Sequence, residues 1–320
     1  MTTNVSKIEN YGTWLRTKAA MKLGIWLTIS LALSLIFFQK FWINLPSMLS
    51  PAFVFGQQHA SPWGVLALCL IFLCFKREEV WEKMHESLSL TFVPIGLGLI
   101  AGAVLMPFSP DYAVFQVLLA SLGVFVILFG KAAKIPFILL AIYSFAISLP
   151  LAIQRFAEIP YARTAIVPVM SFMNMLSYPF QYEGQWVHFT SLTGEPMSVA
   201  ITTACAGPAT MGVFMALFAL MTLDMPLPPK KAAWLFLFGV AGTWFQNLVR
   251  LVVVLLVGYY LGEQALWTAH LWTIYGLFPL WYLLFVYIYF RQSGRLKHAP
   301  KLPVTITDRQ EESHESYTGT

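Results

Sequence analysis

The sequence predicts an all-α polytopic membrane protein, with about eight transmembrane helices and a small extracytoplasmic helix and β-hairpin. Three observations predict this class: the composition, the length of the apolar runs and the alternation of basic segments. Of the 320 residues, 58% are hydrophobic and 11% are charged, and the mean hydropathy is +0.67. Soluble domains carry about 25% charged residues. Because a soluble fold of this length cannot hide so much apolar surface, the chain must use lipid as a solvent.

Eight apolar runs have helical length. A helix rises 1.5 Å per residue, and the hydrocarbon core of a bilayer is about 30 Å thick. The predicted spans are about 23–39, 60–75, 89–107, 112–130, 133–152, 205–223, 232–258 and 272–290. The first run is not a cleaved signal peptide, because no small-residue cleavage site follows it.

Lysine and arginine residues predict the orientation. They cluster before the first run and after every second run: Lys7, Arg16, Lys18, Lys22; Lys76, Arg77, Lys83; Lys131, Lys134; Lys230, Lys231; Arg291, Arg295, Lys297, Lys301 and Arg309. The segments on the opposite side of the predicted spans hold only Lys40, Arg155 and Arg163. By the positive-inside rule the clustered side is cytoplasmic. Eight spans with both termini inside fit every cluster, which favours eight over seven or nine.

The spans divide the chain into five segments: a cytoplasmic N-terminal segment 1–22, the first five transmembrane helices 23–152, an extracytoplasmic segment 153–204, a three-helix core 205–290 and a cytoplasmic tail 291–320. The polar composition of the tail predicts disorder. In the outer segment, the proline-interrupted apolar run 159–180 predicts an interfacial or re-entrant helix. Alternating residues around Thr193-Gly194-Glu195-Pro196 predict a short β-hairpin over the outside of the bundle.

The chain has three cysteines, Cys69, Cys74 and Cys205, which excludes a disulfide framework. Cys69 and Cys74 lie in an apolar run and are interpreted as small hydrophobes. Cys205 is predicted to open the sixth span, with Pro208 in its first turn. The positive end of a helix dipole favours a thiolate at such a position.

Two other polar residues stand out in the last spans. Arg250 lies inside the seventh apolar run. An arginine there either snorkels to the headgroups or faces inward for function, and the apolar residues around it favour the second interpretation. Gln246 and Asn247, four and three residues before it, are predicted to hydrogen-bond on the same helix face. His270 precedes the eighth span, and a lone histidine at an interface is most often structural.

Counting residues along the predicted helices places three side chains at the same depth in the membrane: Cys205, Arg250 and His270. Each lies 19 to 21 residues from a charged residue at the inner edge of its span: Asp224 for Cys205, Lys231 for Arg250 and Arg291 for His270. That separation is about 28–31 Å along a helix, close to the thickness of the hydrocarbon core. All three side chains are therefore expected near the outer membrane surface. Together they provide a nucleophile, a proton carrier and an oxyanion donor. No cluster with metal-ligand spacing accompanies Cys205, so no metal or other cofactor is predicted.

The ordered set Ala204-Cys205-Ala206-Gly207, Asn247-Leu-Val-Arg250 and His270 resembles the exosortase/archaeosortase family of polytopic, transpeptidase-like enzymes. The motifs cover about residues 180–290, and the eight-span hydropathy covers the rest. Two positions depart from the family pattern. Ala206 stands where many members have Ser, and Gly276 follows His270 by six residues instead of at a closer spacing. The choice between a bacterial exosortase and an archaeal archaeosortase stays open.

The resemblance implies a membrane-embedded cysteine protease/transpeptidase in the cell membrane, with its active site at the outer face. Its substrates would be membrane-anchored proteins that end in a short signature motif, a transmembrane helix and a basic cluster. It would cleave near the motif and pass the new C-terminus to an acceptor. By this resemblance Cys205 is the nucleophile, Arg250 the oxyanion stabiliser and His270 the acid/base. The implied partners are these proteins and membrane lipids, not nucleic acid.

Two interpretations from other classes stay open. A non-enzymatic transporter or flippase of a lipid or polysaccharide precursor would use Arg250 to bind an anionic head group. Charged residues in the middle of the spans would support it, and the sequence has none there. A structural subunit of a polysaccharide export system is the other interpretation, and no sequence feature points to it.

Overall fold

The computed structural model describes residues 2–50, 60–84, 90–110 and 112–294, without the side chains of 2–18, 60–61 and 203–204. The predicted tail beyond residue 294 lies outside this part of the chain. The helices are α1 (Thr2–Phe37), α2 (Gln39–Met48), α3 (Ala60–Phe75), α4 (Arg77–Lys83), α5 (Phe92–Leu105), α6 (Ala113–Phe129), α7 (Lys134–Met175), α8 (Thr203–Ala206), α9 (Pro208–Asp224), α10 (Pro229–Leu261) and α11 (Glu263–Ser293). The strands are β1 (Gln181–Glu183), β2 (Trp186–Thr190) and β3 (Pro196–Ala200).

The helical membrane class is confirmed, but the number of eight spans is not. Among the described residues, four helical stretches are long and apolar enough to cross a membrane: Ala19–Phe37, Ala113–Met175, Pro229–Leu261 and Glu263–Ser293. Three apolar helices are shorter: Pro62–Phe75, Phe92–Leu105 and Pro208–Asp224. A helix of 14 to 17 residues is about 21–26 Å long, which is less than the hydrocarbon thickness.

The stretch Ala113–Met175 contains two of the predicted spans. A 3₁₀ turn, Gly130–Ala133, separates α6 from α7 inside it. Gly130 has φ +52°, a conformation that ends a right-handed helix and that glycine adopts without steric penalty. The boundary predicted near residues 130–133 therefore coincides with a change of helix.

Helix α7 is longer than the sequence predicts. It has 42 residues and continues through residue 153, where the fifth span and the outer helix were predicted to be separate. Its backbone is kinked at Ala157 (φ −142°, ψ 26°). Pro160 follows three residues later, and a proline ring clashes with the carbonyl of the fourth residue before it. The predicted separation between the fifth span and the outer helix is therefore a bend within one helix.

The predicted hairpin is the second half of a three-stranded antiparallel sheet in the order β1-β2-β3. β2 pairs with β3 in the register Val187↔Val199, and β1 pairs with β2 in the register Tyr182↔Val187. The prediction missed β1 because it has only three residues. Gly184, at φ +61°, forms the tight connection between β1 and β2.

The sheet packs on the part of the bundle that carries the candidate site. Strand side chains alternate between two faces, and the buried face includes Val187, Phe189, Met197 and Ile201. These residues form one core with the second half of α7, the end of α10 and the start of α11. Its helical members include Ile166, Met170, Met173, Leu251, Val254, Leu255 and Leu266. This core therefore holds the sheet against the helices of the predicted site.

Candidate active site

Cys205 lies in a helix of its own. α8 has four residues and ends at Gly207, whose φ is +93°. Pro208 is then the first residue of α9. The prediction that Cys205 opens the sixth span is therefore wrong, because the left-handed backbone of Gly207 divides the helix after residue 206.

His270 lies inside α11, not before it. The helix begins at Glu263, directly after Gly262, which has φ +84°. The imidazole is buried, and its Nε2 lies 3.9 Å from Sγ of Cys205, within hydrogen-bonding range for sulfur. The two residues are 65 positions apart in the chain. The tertiary structure therefore joins a thiol to an imidazole.

Arg250 reaches the same imidazole from α10. Its Nη2 lies 3.2 Å from Nδ1 of His270, 3.3 Å from Nε2 and 3.5 Å from the backbone oxygen of His270. The side chain is 2% exposed, so it does not extend to the membrane surface. Among the described residues no carboxylate forms a salt bridge with it, and its Nε has no hydrogen-bond partner. The site thus holds a buried cation without a carboxylate partner in the part of the chain that the structure describes.

The two residues predicted to hydrogen-bond beside Arg250 have other surroundings. Asn247 is 1% exposed, and neither Nδ2 nor Oδ1 has a hydrogen-bond partner. Its amide packs against Gly207, where an added Cβ would lie 2.9 Å from Cγ of Asn247. Gln246 donates through Nε2 to the carbonyl of Leu277 and so links α10 to α11. Neither amide hydrogen-bonds to Arg250.

A small pocket opens at Cys205 and His270. Its volume is about 20 Å³, which is room for about one water molecule. Its lining residues are Val199, Ala200, Ile201, Cys205, Leu251, Val254, Leu255, Leu266, Trp267 and His270. Trp267 is 53% exposed and presents its ring edge-on to His270, with 5.8 Å between the centroids. The pocket therefore joins the thiol and the imidazole in one opening lined mostly by apolar side chains.

The sequence analysis missed several residues of this pocket. Trp267 lies three residues before His270, a spacing that places both on one face of a helix. That spacing is the signal that could have found it. The segment Val199-Ala200-Ile201 gave no such signal, because its position beside Cys205 depends on how the sheet packs.

The other candidate groups lie elsewhere. Cys69 is buried, with Sγ 3.7 Å from the carbonyl of Leu139, and Cys74 is exposed. His188 hydrogen-bonds through Nδ1 to the hydroxyl of Ser198, 2.8 Å away on the outward face of the sheet. Within the described ranges, no group of three or more His, Cys, Asp or Glu side chains is arranged to hold a metal ion.

A comparison with known protein families identifies the chain. The family model of the transmembrane exosortases (Exosortase EpsH) matches residues 54–289. The chain belongs to the transmembrane exosortase family. Exosortases are membrane-embedded, sorting-related transpeptidases, generally of the cysteine type. Cys205, Arg250 and His270 all lie within the matched residues. No curated protein and no solved structure matches the chain significantly.

Proposed function

We propose that the chain cleaves the C-terminal sorting signal of membrane-anchored proteins at the outer face of the cell membrane, by acyl transfer through Cys205. The observation that carries the proposal is the 3.9 Å separation between Sγ of Cys205 and Nε2 of His270. A nucleophile within reach of a base, which a third group contacts in turn, is the arrangement that activates a thiol. Arg250 is that third group.

In the first half of the reaction, the sulfur of Cys205 attacks the substrate carbonyl and His270 takes the thiol proton. A carbon–sulfur bond forms, and the carbonyl electron pair moves to the oxygen. His270 then gives its proton to the leaving amine as the carbon–nitrogen bond breaks. The product is a thioester on Cys205 and a free amine on the released tail.

In the second half, an acceptor attacks the thioester. The acceptor is an amine, a lipid head group or water, and His270 takes its proton as the new bond forms. The carbon–sulfur bond breaks, and the proton returns to the sulfur of Cys205. Transfer to an amine or a lipid gives a sorted product, whereas transfer to water gives simple hydrolysis.

Arg250 stabilises the oxyanion in both halves. A guanidinium has five N–H donors and a permanent charge, and removal of one oxyanion donor typically lowers the rate about 100- to 1,000-fold. Its Nε is unpartnered and the side chain lacks a counter-ion among the described residues, which leaves charge and a donor available for a substrate oxygen. A largely water-excluded site strengthens this interaction.

Membrane placement matches the proposed substrate. A protein that one C-terminal helix anchors diffuses in the same two dimensions as the enzyme. A motif next to that helix reaches the membrane surface at a constant depth, which is the depth that the sequence predicts for Cys205.

The test uses cysteine variants and a tagged protein from the same genome that ends in a candidate motif, one transmembrane helix and a basic cluster. Cys205→Ser should remain membrane-inserted and accumulate uncleaved substrate on a gel, because a hydroxyl is far less ionised than a thiol. Cys69→Ala and Cys74→Ala are the matched controls and should process normally. Mass spectrometry should detect a thioester on Cys205. Wild-type processing by Cys205→Ser would overturn the mechanism and favour the transporter.

A further inference from the structure

Strand β3 pairs with β2 along one edge, and no described element hydrogen-bonds to the backbone of its other edge. In an antiparallel pair, residues that exchange hydrogen bonds alternate with residues whose backbone groups point away. Ile201 N donates to the carbonyl of Gln185 at 2.8 Å, and Ser191 N donates to that of Glu195 at 2.9 Å. In this register the odd-numbered residues of β3 bond to β2, and the N–H and C=O groups of Ser198 and Ala200 point outward.

The outward edge is open in the part of the chain that the structure describes. No backbone hydrogen bond joins Ser198 or Ala200 to another described element. Ser198 is exposed and Ala200 is partly exposed. An unpaired strand edge of this kind is a template for pairing with another extended chain.

This edge leads directly to the candidate nucleophile. Val199, Ala200 and Ile201 line the same pocket as Cys205 and His270. Only four residues separate Ala200 from Cys205 in the chain. A peptide that pairs with β3 therefore lies beside the pocket that holds the candidate nucleophile.

We propose that the scissile segment of the protein substrate binds as an added strand on the outer edge of β3, paired with the backbone of Ser198 and Ala200. The inference rests on the proposed function and specifies how that function selects its substrate. An extended peptide is required because the backbone groups of a helix are bonded internally and cannot pair with a strand edge. Main-chain pairing provides affinity, and side chains at every second position provide specificity.

Pro196 limits the length of the pairing. It is the first residue of β3 and has no N–H to donate. The edge therefore presents two residues with free donor and acceptor groups, which pair with a substrate segment of about three residues. Such a short pairing is suited to a short signature motif.

Ala200→Pro tests the pairing. It removes the outward N–H and leaves the bonds from β3 to β2, because residue 200 does not use them. We expect processing of the tailed protein to fall about tenfold, since a net hydrogen bond contributes about 0.5–1.5 kcal/mol and the proline ring also obstructs the edge. Tyr182→Pro is the matched control. Tyr182 points its backbone away from β2 at the opposite edge, and its substitution should leave processing within about twofold of wild type.

A second measurement is independent of catalysis. In a Cys205→Ala, Cys69→Ala, Cys74→Ala background, Ser198→Cys is combined with single cysteines along the motif of the tailed protein. Strand pairing predicts disulfide cross-links at alternate motif positions, and none to Tyr182→Cys. Cross-links at consecutive positions, or equal cross-linking at both edges, would overturn the inference. So would wild-type processing by Ala200→Pro. Alternate cross-links to Ser198→Cys in this background, together with no cleavage by the wild-type protein, would contradict only the proposed function.

Discussion

Nη2 of Arg250 lies 3.2 Å from Nδ1 and 3.3 Å from Nε2 of His270, across two adjacent helices. A guanidinium only donates hydrogen bonds, so the ring nitrogen that accepts from it carries no proton. Because Nη2 is almost equally far from both ring nitrogens, the contact does not by itself select a tautomer. It places a permanent positive charge beside the imidazole, and in the proposed reaction the same charge stabilises the oxyanion.

The first prediction concerns Arg250→Lys. The substitution keeps the charge but removes the planar fork, which presents several donors in a constant geometry. We expect processing to fall about 100- to 1,000-fold, the typical effect of losing an oxyanion donor. The measurement is the processing rate of the tailed protein, with membrane insertion checked in parallel. Near-normal processing by a folded Arg250→Ala protein would contradict the proposed role.

The second prediction separates stability from activity at Asn247. Leucine branches at the same carbon and replaces two buried amide atoms that have no hydrogen-bond partner. Because such a group costs about 1–3 kcal/mol, Asn247→Leu should leave the thermal unfolding temperature in detergent unchanged or higher. Processing should nevertheless fall at least about tenfold, because the amide packs against Gly207, two residues after Cys205, and the substitution changes that contact.

Gln116→Leu is the contrasting variant for Asn247. Gln116 is equally buried, but its Nε2 donates to the carbonyls of Met106 and Pro107 at 2.9 and 3.1 Å. Its substitution leaves two acceptors without this donor and should lower the unfolding temperature. A large drop in unfolding temperature for Asn247→Leu as well would assign Asn247 to the stability of the fold and not to the position of Cys205.

The third prediction concerns Gly207→Ala. The residue has φ +93°, and an added Cβ would lie 2.9 Å from Cγ of Asn247. We expect the turn after Cys205 to shift and processing to fall at least about tenfold. Gly294→Ala is the matched control, because Gly294 has φ +82° with nothing within 4 Å of an added Cβ. If both variants process equally, the contact between Gly207 and Asn247 has no function in positioning Cys205.

The fourth prediction concerns orientation. If the basic clusters are cytoplasmic, an impermeant maleimide on intact cells should label Gly194→Cys and not Ser293→Cys. Both variants are made without the three native cysteines, so that each protein has one reactive thiol. Labelling of Ser293→Cys alone would reverse the orientation and place the candidate site on the cytoplasmic side.

The sequence by itself determined the features that depend on local composition and periodicity. The membrane class follows from hydropathy, and the run predicted at 60–75 coincides with α3. The alternating residues around Gly194 correctly predicted the pairing of β2 with β3. Each of these features depends on the residues of one segment alone. The helix or strand that the segment favours locally is also the structure that it adopts in the fold.

Only the tertiary structure decided the geometry of the site. The sequence contains Gly207, but whether glycine continues a helix or interrupts it depends on what packs around it, and here Asn247 from α10 packs there. Likewise, the amides predicted to bond Arg250 face α8 and α11. The 3.9 Å contact of Cys205 with His270 joins residues 65 positions apart. Local patterns do not encode such contacts, because they depend on how separate helices and the sheet pack against one another.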